Sequence, residues 1–494
     1  MEAEKATMTE KDRSPAPTEY KNMSLCQRVK YVKSHVTVEV TGFLVIFANV
    51  LQGVAMQTMG LEKACRVNLG LDDEICDALR AQDGAEDLLP YERMVQELYA
   101  SQVSWRSILQ TILPCIVVIF VGGWSDATGR RKVIMLACLS GEIAHTLNNI
   151  INVIFFYQIR LEIYIFFDVF SLSIVGGTGV MFLALMNYIC DITTPENRTH
   201  RIGFVNLSTF ASMPLALSIS GIVLNYGGYY GIFIPALVLH LINLFYLIFY
   251  ISDQARTEEH KKHDGRGVIH FLRTFFNLGT IKETLAIVWK KTENNRRKTL
   301  LILIGTVTFM YGPFIGEMAT LYMVTRYRFN WNEVQFSFFQ TYSFLMSVIG
   351  TLISLLLFSK YLKWDDSVLG ITSTTSKILA AFVYCFAPNS GIFYLGPLVD
   401  ILSGAMLPIL AIRSIYTKLI SQQELGRLTS LFVLFENLAP VMYVPIYVAI
   451  YTATMDTLPG AIYLFGAAMT VPGLIAFMYL FRMHRISLKK KAMP

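Results

Sequence analysis

Nine ionisable side chains stand inside otherwise apolar stretches of this chain: Glu142, His145, Asp168, His240, Glu317, Lys377, Asp400, Arg413 and Glu436. A charge among hydrocarbon is expensive, so each such residue needs either a structural partner or a job. Glu317 follows a Gly312-Pro313 pair that is expected to break its helix, and a desolvated carboxylate at a broken helix suits reversible protonation or substrate contact. The alternative for Glu317 is a structural ion pair. Arg413 stays charged and can hold a carboxylate bidentately; the alternatives are an ion pair with Glu436 or Asp400, or a place at the mouth of a pathway. Glu142 and His145 share one helix face, where they either relay a proton or satisfy each other or a neighbouring helix.

Tyr311, Phe314 and Tyr322 flank Glu317 and offer faces on which a flat ring can stack, though aromatic residues make up 13% of the chain and most serve packing or face lipid. Seven cysteines with no CxxC pattern and no Cys/His cluster exclude a zinc-type site. No metal or organic cofactor is expected; protons are the expected coupling ion.

The elements that must position these groups are helices in a bilayer. The chain of 494 residues is 54% hydrophobic and only 16% charged, with a mean hydropathy of +0.47. A soluble domain carries roughly a quarter charged residues. Apolar runs of about 20 residues recur, each long enough to cross about 30 Å of hydrocarbon. The reading is an all-α polytopic membrane protein with twelve spans, at roughly 38–60, 104–124, 133–155, 161–190, 201–225, 229–252, 298–325, 334–358, 367–387, 391–417, 428–451 and 459–481. Lys and Arg concentrate in segments that share one side if both termini are cytosolic. Residues 1–37 and 482–494 then form cytosolic tails, and 253–297 a basic cytosolic linker dividing two six-helix halves, 38–252 and 298–481. The acidic loop 61–103 falls on the opposite, oxidising side, so its two cysteines, Cys65 and Cys76, are expected to form a disulfide. Two halves joined by a charged linker suggest a carrier built from two pseudo-repeats. The loops TTPENRTHRIGF (193–204) and SQQELGRLTSLF (421–432) echo each other, each placing Glu before Arg after the fourth span of its half.

Between spans two and three lies GGWSDATGRRKV, residues 122–133. A connection this short makes the spans antiparallel neighbours. Gly123 and Gly129 permit tight turning, Asp126 suits the next helix's N-terminus, and Arg130 and Arg131 are placed to bridge across the interface between halves. The spacing G-x-x-x-D-x-x-G-R-R resembles the signature loop of the major facilitator superfamily, and the resemblance implies that superfamily's fold, with the loop acting as a cytosolic latch. WSDATGRRKVIML (124–136), YICDITTPENRTHRIG (188–203), EMATLYMV (317–324) and AIRSIYTKLISQQELGRLTSL (411–431) together resemble solute carrier family 46. That resemblance implies a proton-coupled carrier of an organic anion such as folate. It matches Glu317 to that family's span-seven acid and Arg413 to a span-ten arginine used in substrate binding or coupling. It also departs from the family's folate carrier in the loop after span seven, RYRFNWNE (326–333), which lacks the cysteine that the folate carrier pairs with one in its first loop, and within three spans. Asn206 stands where a span-five carboxylate is found, Tyr311 and Gly312 where a span-seven histidine is found, and Gly177 where a span-four aspartate is found.

The sequence therefore predicts a secondary transporter rather than an enzyme, working by alternating access on a small organic anion. Its partners are the lipid bilayer and that solute, with no nucleic acid, in a monomer or weak homo-oligomer. The plasma membrane and the endosomal or lysosomal membrane both suit it. A solute receptor that signals without flux is the alternative.

Overall fold

The computed structural model describes residues 37–81, 86–193, 195–252, 275–276, 296–362, 364–402, 412, 415 and 422–492. Arg413, most of the 253–297 linker, and the side chains of Gly122, Gly123, Asp126, Glu196, Arg198, Asn206, Glu424 and Arg427 lie outside that description.

The described chain is helical throughout. The first half holds α1 (Val38–Lys63), α2 (Asp73–Ala81), α3 (Leu89–Thr128), α4 (Arg131–Ile154), α5 (Leu161–Ser173), α6 (Gly177–Ile192) and α7 (Pro195–Tyr250). The second holds α8 (Arg296–Phe329), α9 (Glu333–Ile353), α10 (Asp366–Phe386), the short α11 (Ser390–Phe393) and α12 (Gly396–Val399), then α13 (Gln422–Thr454) and α14 (Ala461–Ala492). Glycine punctuates them where the backbone turns left-handed. Gly129 (φ 65°) caps α3, and Gly176 and Gly177 (φ 89° and 62°) divide α5 from α6.

At about 1.5 Å per residue α7 would be far longer than a bilayer is thick. It contains a non-helical residue, Gly228, and turns back there. Ser208 bonds Glu39 near the start of α1, Tyr229 bonds Glu62 near its end, and Tyr246 bonds Thr37 at its start again. Eight described stretches are long and apolar enough to cross a membrane. With the division at Gly228, the more polar α3 and α13, and the segment beginning at Ser390, they are consistent with twelve spans.

The apolar core shows how the halves meet. One continuous cluster, from Leu51 and Tyr99 in the first half to Phe336, Tyr384 and Tyr451 in the second, joins them at the end where α1 and α8 finish. At the other end each half has its own cluster, one around Met135, Met181 and Leu247, the other around Leu303, Ile412 and Phe477. Polar contacts across the halves gather at the joined end. Arg326 Nε meets Glu92 at 2.8 Å and its Nη2 reaches the Leu79 carbonyl at 2.5 Å. Tyr451 donates to Gln96 at 2.5 Å, Tyr322 and Thr58 share a bond of 2.9 Å, and Arg93 pairs with Asp456. Gly221 lies so close to α9 that a Cβ would sit 2.4 Å from the Glu333 carbonyl oxygen. Over this sealed end folds α2, tied by the Cys65–Cys76 disulfide and by the Arg66–Asp73 and Arg80–Glu62 pairs.

Candidate functional site

The α8 helix brings Glu317 against Lys377 of α10. The Lys377 ammonium donates to Glu317 Oε2 at 2.6 Å and lies 3.7 Å from Asp400 Oδ2. These three line a cavity of about 120 Å³ within the second half, with Phe314 in its wall. Glu317 Oε1 and the hydroxyls of Tyr447 and Tyr463 are buried without a hydrogen-bond partner among the described residues. Gly466 makes the approach possible, since a Cβ there would lie 2.4 Å from Glu317 Oε1. Among the described residues the Lys377 ammonium is thus shared between two carboxylates. The expected helix break at Gly312-Pro313 is corrected: α8 runs unbroken through Pro313. The missing side chain at Gly312 instead admits the Tyr443 ring, which a Cβ would meet at 2.3 Å.

The first half holds a second cluster. His145 of α4 places Nδ1 3.0 Å from Asp168 Oδ1, and Arg106 of α3 places Nη2 2.8 Å from Asp168 Oδ2. The Arg106 approach is a charge contact off the line of a hydrogen bond, and the His145 approach becomes one when the ring is protonated. Of the alternatives for Glu142 and His145 the structure shows the neighbouring helices: His145 turns to Asp168 while Glu142 lies beside Asn49 and Thr178. The two clusters follow one pattern: in each half an aspartate of the fourth span lies 23 residues after a basic residue of the third, His145 to Asp168 and Lys377 to Asp400. The third member breaks the symmetry, a cation (Arg106) in one half and an anion (Glu317) in the other.

Arg106 was not among the expected groups, because a second span starting at 104 leaves it at an interface. The helix starts at Leu89 and carries Arg106 well inside. The signal in the sequence is a polar stripe at helical spacing, Arg106, Ser107, Gln110 and Thr111.

Between the halves lies a larger cavity of about 590 Å³. It begins at Tyr99 and Met323, directly beneath the sealed end, and takes Arg106, Gln110 and Thr178 from the first half and Tyr311, Glu436 and Asn437 from the second. Gly177 also lines it. The three expected aromatics do not form one site. Tyr311 faces this central cavity, Phe314 faces the small one, and Tyr322 is buried in the seal against Phe336, ring centroids 4.7 Å apart. His240 is buried with no hydrogen bond to either ring nitrogen among the described residues.

In the loop after α3, Gly129 donates its backbone N–H to the Ser125 carbonyl at 2.9 Å. Arg131 meets Asp191 at 2.9 Å and also donates to Ser125, and Lys132 donates to the Ile248 carbonyl at 2.8 Å. All these partners belong to the first half. Arg131 is thus held by a carboxylate of its own half, while the loop of the second half that the expected bridge would reach lies outside the described residues.

Comparison with known proteins places this architecture. The sequence model of the Major Facilitator Superfamily matches residues 40–444. The chain is 21% identical over 442 residues to the "Probable peptidoglycan muropeptide transporter SLC46" of Drosophila melanogaster, covering 87% of this chain and 83% of that protein. It is 23% identical over 440 residues to the "Proton-coupled folate transporter" of Bos taurus, covering 87% and 89%. Such relatives are what the resemblance to solute carrier family 46 anticipated. Among solved structures, a D-xylose-proton symporter superposes with a TM-score of 0.60 at 14% identity, covering 90% of this chain and 96% of its own. A helical chain in two halves around a central cavity, matched over most of its length by that one sequence model, belongs to the Major Facilitator Superfamily.

Proposed function

We propose that this protein is a secondary transporter that carries a small organic anion together with a proton, alternating the access of the central cavity between the two faces of the membrane. With the termini in the cytosol, the state described above is inward-facing, sealed at the face that bears α2. The observation that carries the reading is the buried Glu317 carboxylate at 2.6 Å from the Lys377 ammonium, which Asp400 approaches to 3.7 Å, a setting in which a proton taken up by Glu317 changes its pairing. The names of the relatives, one of them a proton-coupled transporter, support the same direction. Arg413, matched by resemblance to a substrate-binding arginine, is proposed as a second contact for the anion. A plasma membrane facing an acidic fluid and an acidified organelle both supply the gradient.

The test is uptake into proteoliposomes of labelled folate, a steroid sulfate and a muramyl dipeptide, with acid on the outside. A gradient of about two pH units is worth about 2.7 kcal/mol per proton and supports about 100-fold accumulation of a solute that moves with one proton without net charge. The expected result is accumulation of at least one probe toward that limit. Glu317→Gln is expected to keep exchange of the probe across the membrane but to lower its final level below that of the unmodified protein. Tight binding of a probe with no uptake in the unmodified protein would instead favour a solute receptor.

A further inference from the structure

The central cavity contains a cation that the proton cluster does not use. We propose that Arg106 is the anchor for the acid group of the transported anion, and that seating the anion there draws a proton to the Asp168–His145 pair. This rests on the transporter reading and deepens it.

The guanidinium is half engaged. One Nη lies 2.8 Å from Asp168, while Nε is buried without a hydrogen bond. The Arg106 side chain is 20% exposed, and it lines the cavity; Asp168 behind it is 1% exposed. A fork of fixed donors with one arm already held, on a side chain that lines the cavity, matches a two-oxygen anion, a carboxylate or a sulfate. Gln110 and Thr111 on the same helix add neutral polar groups, and Tyr311 on the facing half offers a ring for a flat apolar body. The volume, about 590 Å³, is that of a site for a drug-sized molecule. The ligand class that follows is an organic anion with one carboxylate or sulfate at its end.

Coupling follows from the same contact. When the anion shares Arg106, the buried carboxylate of Asp168 loses part of its counter-charge. His145 stands 3.0 Å away, and a proton on its ring restores the balance. The other titratable groups facing this pair are Glu142 on α4, Tyr99 on α3, Tyr164 on α5, and His240 on α7, which faces His145. None of these is a second permanent cation, so the proton is the charge that can replace what the anion takes. Anion and proton therefore bind together, and each raises the affinity for the other.

The experiment is binding of labelled steroid sulfate and folate to the purified full chain in detergent. Proton uptake is read by titration calorimetry in two buffers of different ionisation enthalpy. The unmodified protein is expected to bind a probe and take up about one proton, the amount set by the single Asp168–His145 pair. Arg106→Gln is expected to weaken binding roughly 30-fold or more, the effect of truncating one partner of a buried charge contact. Arg106→Lys, which keeps the charge and loses the fork, falls between. Asp168→Asn is expected to bind the probe with no proton uptake and with an affinity that no longer changes with pH. If Arg106→Gln does not purify as a monodisperse protein, the Lys variant and the pH profile of Asp168→Asn decide. Unchanged affinity in Arg106→Gln, or proton uptake persisting in Asp168→Asn, overturns the inference while the transporter reading stands on the Glu317→Gln result. Failure of the unmodified protein to bind or move any probe overturns both.

Discussion

Replacing Arg326 with alanine is expected to open the sealed face. Arg326 and Glu92 are both buried, from opposite halves, and Arg326 also caps the Leu79 carbonyl beneath the disulfide-tied α2. Removing one partner of such a pair leaves the other charge buried and uncompensated, at about 3–5 kcal/mol. The cost falls on the sealed state alone, because parting the halves returns Glu92 to water. At 1.4 kcal/mol per factor of ten, the balance between states shifts by roughly two to three and a half powers of ten toward the state open on that side. Cys115 provides the reporter, since it is free and lines the central cavity. A membrane-impermeant maleimide added from the α2 side is expected to leave Cys115 unlabelled in the unmodified protein and to label it in Arg326→Ala, read by peptide mass spectrometry. Equal labelling in both would mean that this pair does not hold the gate.

The second large effect is expected at Lys377. Its ammonium is the cation between Glu317 and Asp400. Lys377→Met leaves the buried Glu317 carboxylate without the ammonium that meets it, again a loss of about 3–5 kcal/mol. The sign with pH follows from charge. In the variant the penalty exists only while the acids are ionised, so lowering the pH relieves it. Thermal unfolding in detergent is expected to show Lys377→Met well below the unmodified protein at neutral pH, with the gap narrowing under acid. The double variant Lys377→Met, Glu317→Gln removes one of the two acids and is expected to regain part of the loss at neutral pH. A gap that stays constant with pH would show that Lys377 contributes packing rather than charge.

Both predictions concern residues that hydropathy handles unequally. The spans were legible because each is a continuous apolar run of bilayer length, and Glu317, Lys377, Asp400, His145 and Asp168 stood out as charges inside those runs. Their pairing was not legible. It depends on which faces of three helices meet, and neighbours in sequence such as Glu142 and His145 turned to different helices. Arg106 and Glu92 were hidden for a different reason. An apolar window marks where lipid begins, not where the helix does, and α3 continues about four turns beyond its apolar part. Charges there looked like loop charges, as did Arg326 at the far end of α8. The Gly312-Pro313 pair misled in the opposite direction: two helix breakers sit in an unbroken helix because packing against Tyr443 sets the glycine.

The central claim is that an anion and a proton cross together. The most direct measurement loads proteoliposomes with a pH-sensitive dye, imposes no gradient, and adds a probe anion that the protein takes up. The anion's own inward gradient is then expected to drag protons with it and acidify the lumen, and Glu317→Gln is expected to lessen that acidification. Entry of the anion with no change in lumenal pH would contradict the claim.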